Sequence, residues 1–113
     1  MTTGSTASGI RPTMDYGDWV LNWWWPAAIQ ALSENTRANY RTTLNIYVLP
    51  YFEVTPLDQI TKGAIRHWVE KLHELDIKAS TIDSAIRVFR TTMMAAMARE
   101  LISSNPLVGV KSS

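Results

Sequence analysis

Two short stretches concentrate side chains suited to holding a phosphate or a base edge. Arg37, Arg41, Thr42 and Asn45 lie in the first; Lys78, Ser80, Ser84, Arg87, Arg90 and Thr91 lie in the second. A guanidinium neutralises phosphate or forks onto guanine, and hydroxyls and amides bond phosphate oxygens or base edges. Helical spacing gathers them. At about 100° per residue, Ala38, Arg41, Thr42 and Asn45 share one side of a helix, with Arg37 at its flank. Ser84, Arg87 and Thr91 share another side, with Arg90 near its border. The charge census singles out the same regions. Residues 13–34 hold three acids and no base, residues 35–50 two bases and no acid, and residues 84–99 three bases and no acid. The overall charge of +1 conceals this segregation. The solvated backs of amphipathic helices would read the same way, and Asp83 stands four residues before Arg87 as a ready ion-pair partner.

Catalytic chemistry finds less support. His67 and His73 are six apart on one helix and so face different directions, which does not suit a shared metal. Neither belongs to a nucleophile–base–orienter set. The five glycines are scattered and form no phosphate-binding loop, and carboxylates pair more naturally with nearby bases, as in Asp83–Arg87 and Arg66–Glu70, than with each other. With no cysteine there is no disulfide or thiolate site, which fits a reducing cytoplasm. The chain reads as a binding domain that needs no cofactor or metal, and no apolar run is long enough to span a membrane.

The elements that must position these residues are helices, with no convincing strand. A first helix is expected from about Asp15 to Trp25, started by Asp15 or Asp18 and closed near Pro26. A second spans ENTRANYRTTLNIYV, with Tyr40, Leu44, Tyr47 and Val48 as its buried stripe and Pro50 as its end. A third, capped by Thr61, turns Ile65, Trp68, Val69, Leu72 and Leu75 inward and a balanced charged face outward. The fourth and longest starts at a Ser80-x-x-Asp83 capping pattern and runs to about Leu101. Its inward stripe is Ile82, Ala85, Ile86, Phe89, Met93, Ala96 and Met97. By this reading residues 1–12 are a disordered leader, 13–104 the folded domain, and 105–113 a tail or linker.

Residues 22–26, NWWWP, pose a separate question. Four-residue spacing puts Trp19 and Trp23 in the core and leaves Trp24 at its edge. Trp25 falls beside Leu21, off that face. This pair is either a ridge for a partner, or Pro26 folds Trp25 back onto the domain. Base stacking by these tryptophans is disfavoured, because the acidic first third of the chain would repel phosphate.

The order GDWVLNWW, NTRANYRTTLNIYVLPYF, TPLDQITKGAIRHWVEKL, ASTIDSAIRVFRTTMMAAMARELISSNPL resembles the core-binding, SAM-like domain of phage integrases and related tyrosine recombinases. The resemblance runs from about Met14 to Val110. It departs where members usually carry a glycine after the Pro-x-Phe turn and this chain has Glu53, and in having three consecutive tryptophans.

The resemblance implies an all-α, four-helix SAM-like orthogonal bundle that closes one side of a clamp around duplex DNA at a recombination core site. Its second and fourth helices would face the major groove. Arg41, Thr42 and Asn45 would then meet DNA from the second helix, with Arg37 reaching the backbone. From the fourth, Ser84, Arg87 and Thr91 would do so, with Arg90 and Lys78 on phosphates. Ser80 serves as a helix cap first and a DNA contact second. The family's catalytic Arg, Lys, His-x-x-Arg and Tyr belong to a separate C-terminal domain and cannot be placed here: His67 leads to Glu70 and His73 to Asp76 at the third position. The implied setting is a piece of a larger bacterial or phage-encoded cytoplasmic recombinase, with residues 105–113 opening a linker. Leu21 and Trp25 would be available to the catalytic domain or to another protomer. The competing reading is a SAM-like protein-interaction module without a nucleic-acid role.

Overall fold

A computed structural model describes residues 13–112; the leader expected at 1–12 lies outside them. The described chain forms four helices and no strand. The first, α1, covers residues 16–28. The second, α2, covers 34–52. A 3₁₀ turn at Leu57–Gln59 leads into α3 (Lys62–Glu74), and α4 is Ala79–Ala98.

Neither proline stops its helix. In α1 an α-helical start, Tyr16–Asp18, opens into a π-helical stretch, Trp19–Trp24, and closes again at Trp25–Ala28. The second helix repeats the device: Glu34–Thr43, a π stretch at Leu44–Val48, then Leu49–Phe52. The Trp25 N–H donates to the Val20 carbonyl and the Leu49 N–H to the Leu44 carbonyl, each five residues back. A proline inside an α-helix lacks the N–H its fourth-previous carbonyl expects and pushes its ring against that carbonyl. A wide turn just ahead of it relieves both problems, so the chain passes Pro26 and Pro50 without unwinding. Val48 takes up the distortion, at φ −116°. The expected ends at Trp25 and before Pro50 are therefore corrected to Ala28 and Phe52.

The wide turn in α1 also re-aims the tryptophans. It acts like one extra residue in the helix and rotates everything beyond it by about a third of a turn. Trp24, five residues after Trp19, comes to the core side and is 8% exposed, while Trp23 is 47% exposed. Trp23 was expected inside.

The core is built around Phe89 of α4. Its ring lies 4.9 Å from Tyr16, 5.0 Å from Phe52 and 5.3 Å from Trp68, so three helices meet on one side chain of the fourth. Polar atoms in this core are satisfied. Tyr16 Oη donates to Thr92 Oγ1 at 2.7 Å, which donates on to the Phe89 carbonyl, and Trp19 Nε1 donates to the Thr92 carbonyl. Burial pushes the Tyr16 phenol well above its ordinary pKa, with the Thr92 bond opposing the rise.

Other local expectations meet mixed outcomes. Thr61 caps α3, accepting from the Ala64 N–H at 3.1 Å. Leu75 is exposed because it sits at the C-cap of α3, where the chain turns through Asp76 at φ 60°. Ser80 does not cap α4: the helix begins at Ala79 with Lys78 in the cap position, which places Ser80 already inside the first turn. Glu53 occupies an ordinary helical conformation and so needs no glycine. The close approach in that turn is made by Gly17 instead, whose N–H donates to the Glu53 carbonyl at 2.9 Å. A Cβ there would stand 2.8 Å from that carbonyl oxygen.

Residues 105–112, expected as a tail, pack against the helices. Leu107 is fully buried, and Asn105 and Ser112 are buried as well.

Candidate nucleic-acid interface

On α2 the side opposite the core is exposed at Ala38, Arg41, Thr42 and Asn45. The core side of this helix is occupied by Thr43, Leu44, Val48 and Leu49, which fixes its rotation. On α4 the positions Ser80, Ser84, Arg87 and Thr91 follow one another at three- and four-residue intervals and so share a face. Ser84 is half-buried and the other three are exposed. Ile82, Ala85, Ile86, Val88, Phe89, Thr92, Met93 and Ala96 bury the rest of α4 and hold that face outward.

Trp24 and Trp25 join the two rows. Trp24 stacks on Tyr40 of α2 at 6.1 Å, and it also lines a groove of about 410 Å³ with Arg87, Arg90, Thr91 and Met94 of α4. Trp25 lies 6.1 Å from Trp24, and the Arg41 guanidinium sits 5.5 Å above its ring. A cation over an indole face is held without losing its charge. Trp25 is thus folded back onto the domain beneath Arg41, while Leu21 is exposed.

The remaining basic residues divide into open and engaged groups. Among the described residues the ion pair found is Lys71–Glu74 at 3.6 Å; neither Asp83–Arg87 nor Arg66–Glu70 forms. Asp83 turns its Oδ1 to the Ser112 N–H at 3.0 Å, which leaves Arg87 open to solvent. Thr91 Oγ1 donates to the Arg87 carbonyl at 2.9 Å, so its hydroxyl proton is committed to the helix and its lone pairs face out. Lys78 is exposed at the start of α4. Arg37 is half-buried, with Nη1 3.5 Å from the Ile29 carbonyl. Arg90 is half-buried too. Its Nε donates to the Leu107 carbonyl at 3.2 Å and its Nη2 to the Val110 carbonyl at 3.1 Å.

Two features escape a reading of periodicity. One is Trp24 as the link between α2 and α4, whose only sequence sign is a tryptophan two residues ahead of a proline. The other is Lys111, a lone base in an apparently featureless tail, which the packed segment brings beside Arg87 and Arg90. Among the described residues no cluster of ligating side chains is arranged for a metal, and no helix is long and apolar enough to cross a membrane.

Comparison with known proteins places this arrangement in context. Residues 17–73 match the family described as phage integrase, N-terminal SAM-like domain. Proteins named "Putative prophage phiRv2 integrase", from two strains of Mycobacterium tuberculosis, are 32% identical over 105 residues, 90% of this chain. The chain spans 26% of the length of those relatives. Among solved structures, an integrase-like domain from Bacillus cereus superposes with a TM-score of 0.81 at 24% identity, covering 90% of this chain and 86% of that one. A lambda integrase dimer bound to a COC' core site gives a TM-score of 0.77 at 15% identity, covering 88% of this chain and 28% of that one.

Proposed function

Since this chain belongs to the phage integrase N-terminal SAM-like domain family, we propose that it binds duplex DNA at a recombination core site through the outer faces of α2 and α4. The observation that carries this reading is the pair of exposed rows, Arg41–Thr42–Asn45 and Ser80–Ser84–Arg87–Thr91, joined through Trp24 and Trp25 and containing no carboxylate. Arg41 and Arg87 are the principal cations, with Lys78 on phosphate from the start of α4. Arg37 reaches the backbone from the first turn of α2. Arg90 contributes from behind the row, with two of its five N–H donors turned to the chain's own carbonyls.

In this reading the domain forms one side of a clamp in a larger tyrosine recombinase, and a catalytic domain beyond residue 113 cuts and rejoins DNA through a 3′-phosphotyrosyl link. The alternation of Arg with Thr, Asn and Ser suits mixed phosphate and base-edge contacts better than a protein surface. Leu21 is an exposed apolar side chain that would be offered to a catalytic domain or a second protomer, with Trp25 acting through Arg41 instead.

Fluorescence anisotropy with a labelled duplex, measured across a salt series, tests the proposal. Arg87→Ala is expected to lower the magnitude of the salt slope by about 0.9 if that residue neutralises one phosphate. If it reads a guanine it should cost about 1–3 kcal/mol at one base position. Lys71→Ala, on the outer face of α3, serves as the control. Equal behaviour of the two variants would remove α4 from the interface.

A further inference from the structure

We infer that residues 105–112 form a docked strap that adds Lys111 to the DNA-binding face of α4, with Asn105 and Arg90 as its positioning residues. The inference rests on the DNA-binding reading and extends it to a segment expected to be a passive linker.

The strap is built at both ends. Asn105, buried, donates from Nδ2 to the Arg90 carbonyl at 3.2 Å and accepts the Leu107 N–H on Oδ1 at 3.0 Å. That second bond makes a local turn that drives Leu107 into the core, where it is fully buried. Gly109 at φ 81° then reverses the chain, a conformation side-chain-bearing residues rarely adopt. Arg90 clips both arms of this reversal through the Leu107 and Val110 carbonyls. Ser112 closes the far end, its N–H on Asp83 Oδ1 at 3.0 Å and its carbonyl on His73 Nε2.

The result is a shallow open groove of about 740 Å³ between strap and helix, with Arg87 and Arg90 on one wall and Lys111 on the other. Asp83 also lines it, so three cations face one carboxylate, and that carboxylate already holds the Ser112 N–H. A groove of this charge and openness is complementary to the sugar–phosphate backbone of a duplex whose base edges are met by the α4 row. Lys111 itself is exposed, and it also borders the groove on the α3 side with Arg66 and Glu70.

The test is the salt dependence of duplex binding by the full chain, with folding of each variant checked by thermal melting. Lys111→Gln is expected to lower the slope by about 0.9, one phosphate contact, without changing the melting temperature. Asn105→Ala releases the strap without removing a cation, and Lys111→Gln should then have no further effect. If Asn105→Ala does not fold, Gly109→Val gives the same comparison, because it disrupts the strap turn at a site with open space around it. An unchanged slope in Lys111→Gln, beside salt-dependent binding by the unaltered chain, overturns the inference and leaves the DNA-binding reading intact. An equal loss from Lys111→Gln with and without Asn105 makes Lys111 an ordinary mobile cation and overturns the role of the strap. No duplex binding by the unaltered chain at low salt overturns the DNA-binding reading, and the strap's role with it.

Discussion

Tyr16 shows how much depends on single side chains. Its hydroxyl is the first link of a chain of bonds through Thr92 to the Phe89 carbonyl, inside an aromatic core. Tyr16→Phe removes one buried hydrogen bond and should lower stability by about 1 kcal/mol in urea unfolding. The pH dependence has a definite sign. Burial raises the phenol pKa above its unfolded value of 10.0, so the native state keeps a proton that the unfolded chain gives up. Stability is then intact below about pH 10 and falls as pH climbs beyond it, because the native state binds more protons there. Urea midpoints measured on either side of that pH should converge between Tyr16→Phe and the unaltered chain as the medium becomes more alkaline. Parallel midpoints would mean that Tyr16 is not the group responsible.

At the scale of elements, hydrophobic periodicity located all four helices, along with the cap at Thr61 and the inward stripe of α4 as far as Ala96; Met97 is half-buried, and the helix ends at Ala98 instead of Leu101. Periodicity failed where local geometry departs from 3.6 residues per turn. The π stretches ahead of Pro26 and Pro50 changed the phase, so Trp24 replaced Trp23 in the core and both helices outlasted their prolines. A proline reads as a stop because the relief for it lies in backbone geometry, which has no residue signature. Ser80 misled for a related reason: S-x-x-D fits a helix start, yet Asp83 is drawn to a contact 29 residues away, with Ser112. The outward rows on α2 and α4 were legible because they are what the core stripe leaves behind, whereas the strap depends on contacts remote in sequence.

Two substitutions test the elements directly. Gly17→Ala would press a methyl group against the Glu53 carbonyl and should cost about 1–3 kcal/mol of stability, read as a lowered melting temperature. Glu100 sits at φ 62° just past α4, where the Leu101 N–H returns to the Ala96 carbonyl at 3.0 Å. Glycine is the residue such a helix end favours. Glu100→Gly should therefore raise stability by about 0.5–1 kcal/mol, net of the entropy a glycine adds to the unfolded chain.

For the molecule as a whole, the aromatic core around Phe89 fixes α4 against the other three helices, and Trp24 and Trp25 carry that rigidity out to the surface where α2 and α4 meet. In the proposed DNA-binding role a face assembled this way would need no rearrangement. As one side of the proposed clamp the domain would make only part of the contacts, so affinity should be modest and strongly salt-dependent. A heteronuclear NMR titration with a short mixed-sequence duplex, at low and then moderate salt, tests the proposed DNA-binding face most directly. Shifts concentrated on residues 37–45 and 78–91 that fade as salt rises are the expected result. Absence of shifts at low salt would contradict it and favour a protein-interaction domain, whereas shifts confined to the outer face of α3 would move the DNA contact off α2 and α4.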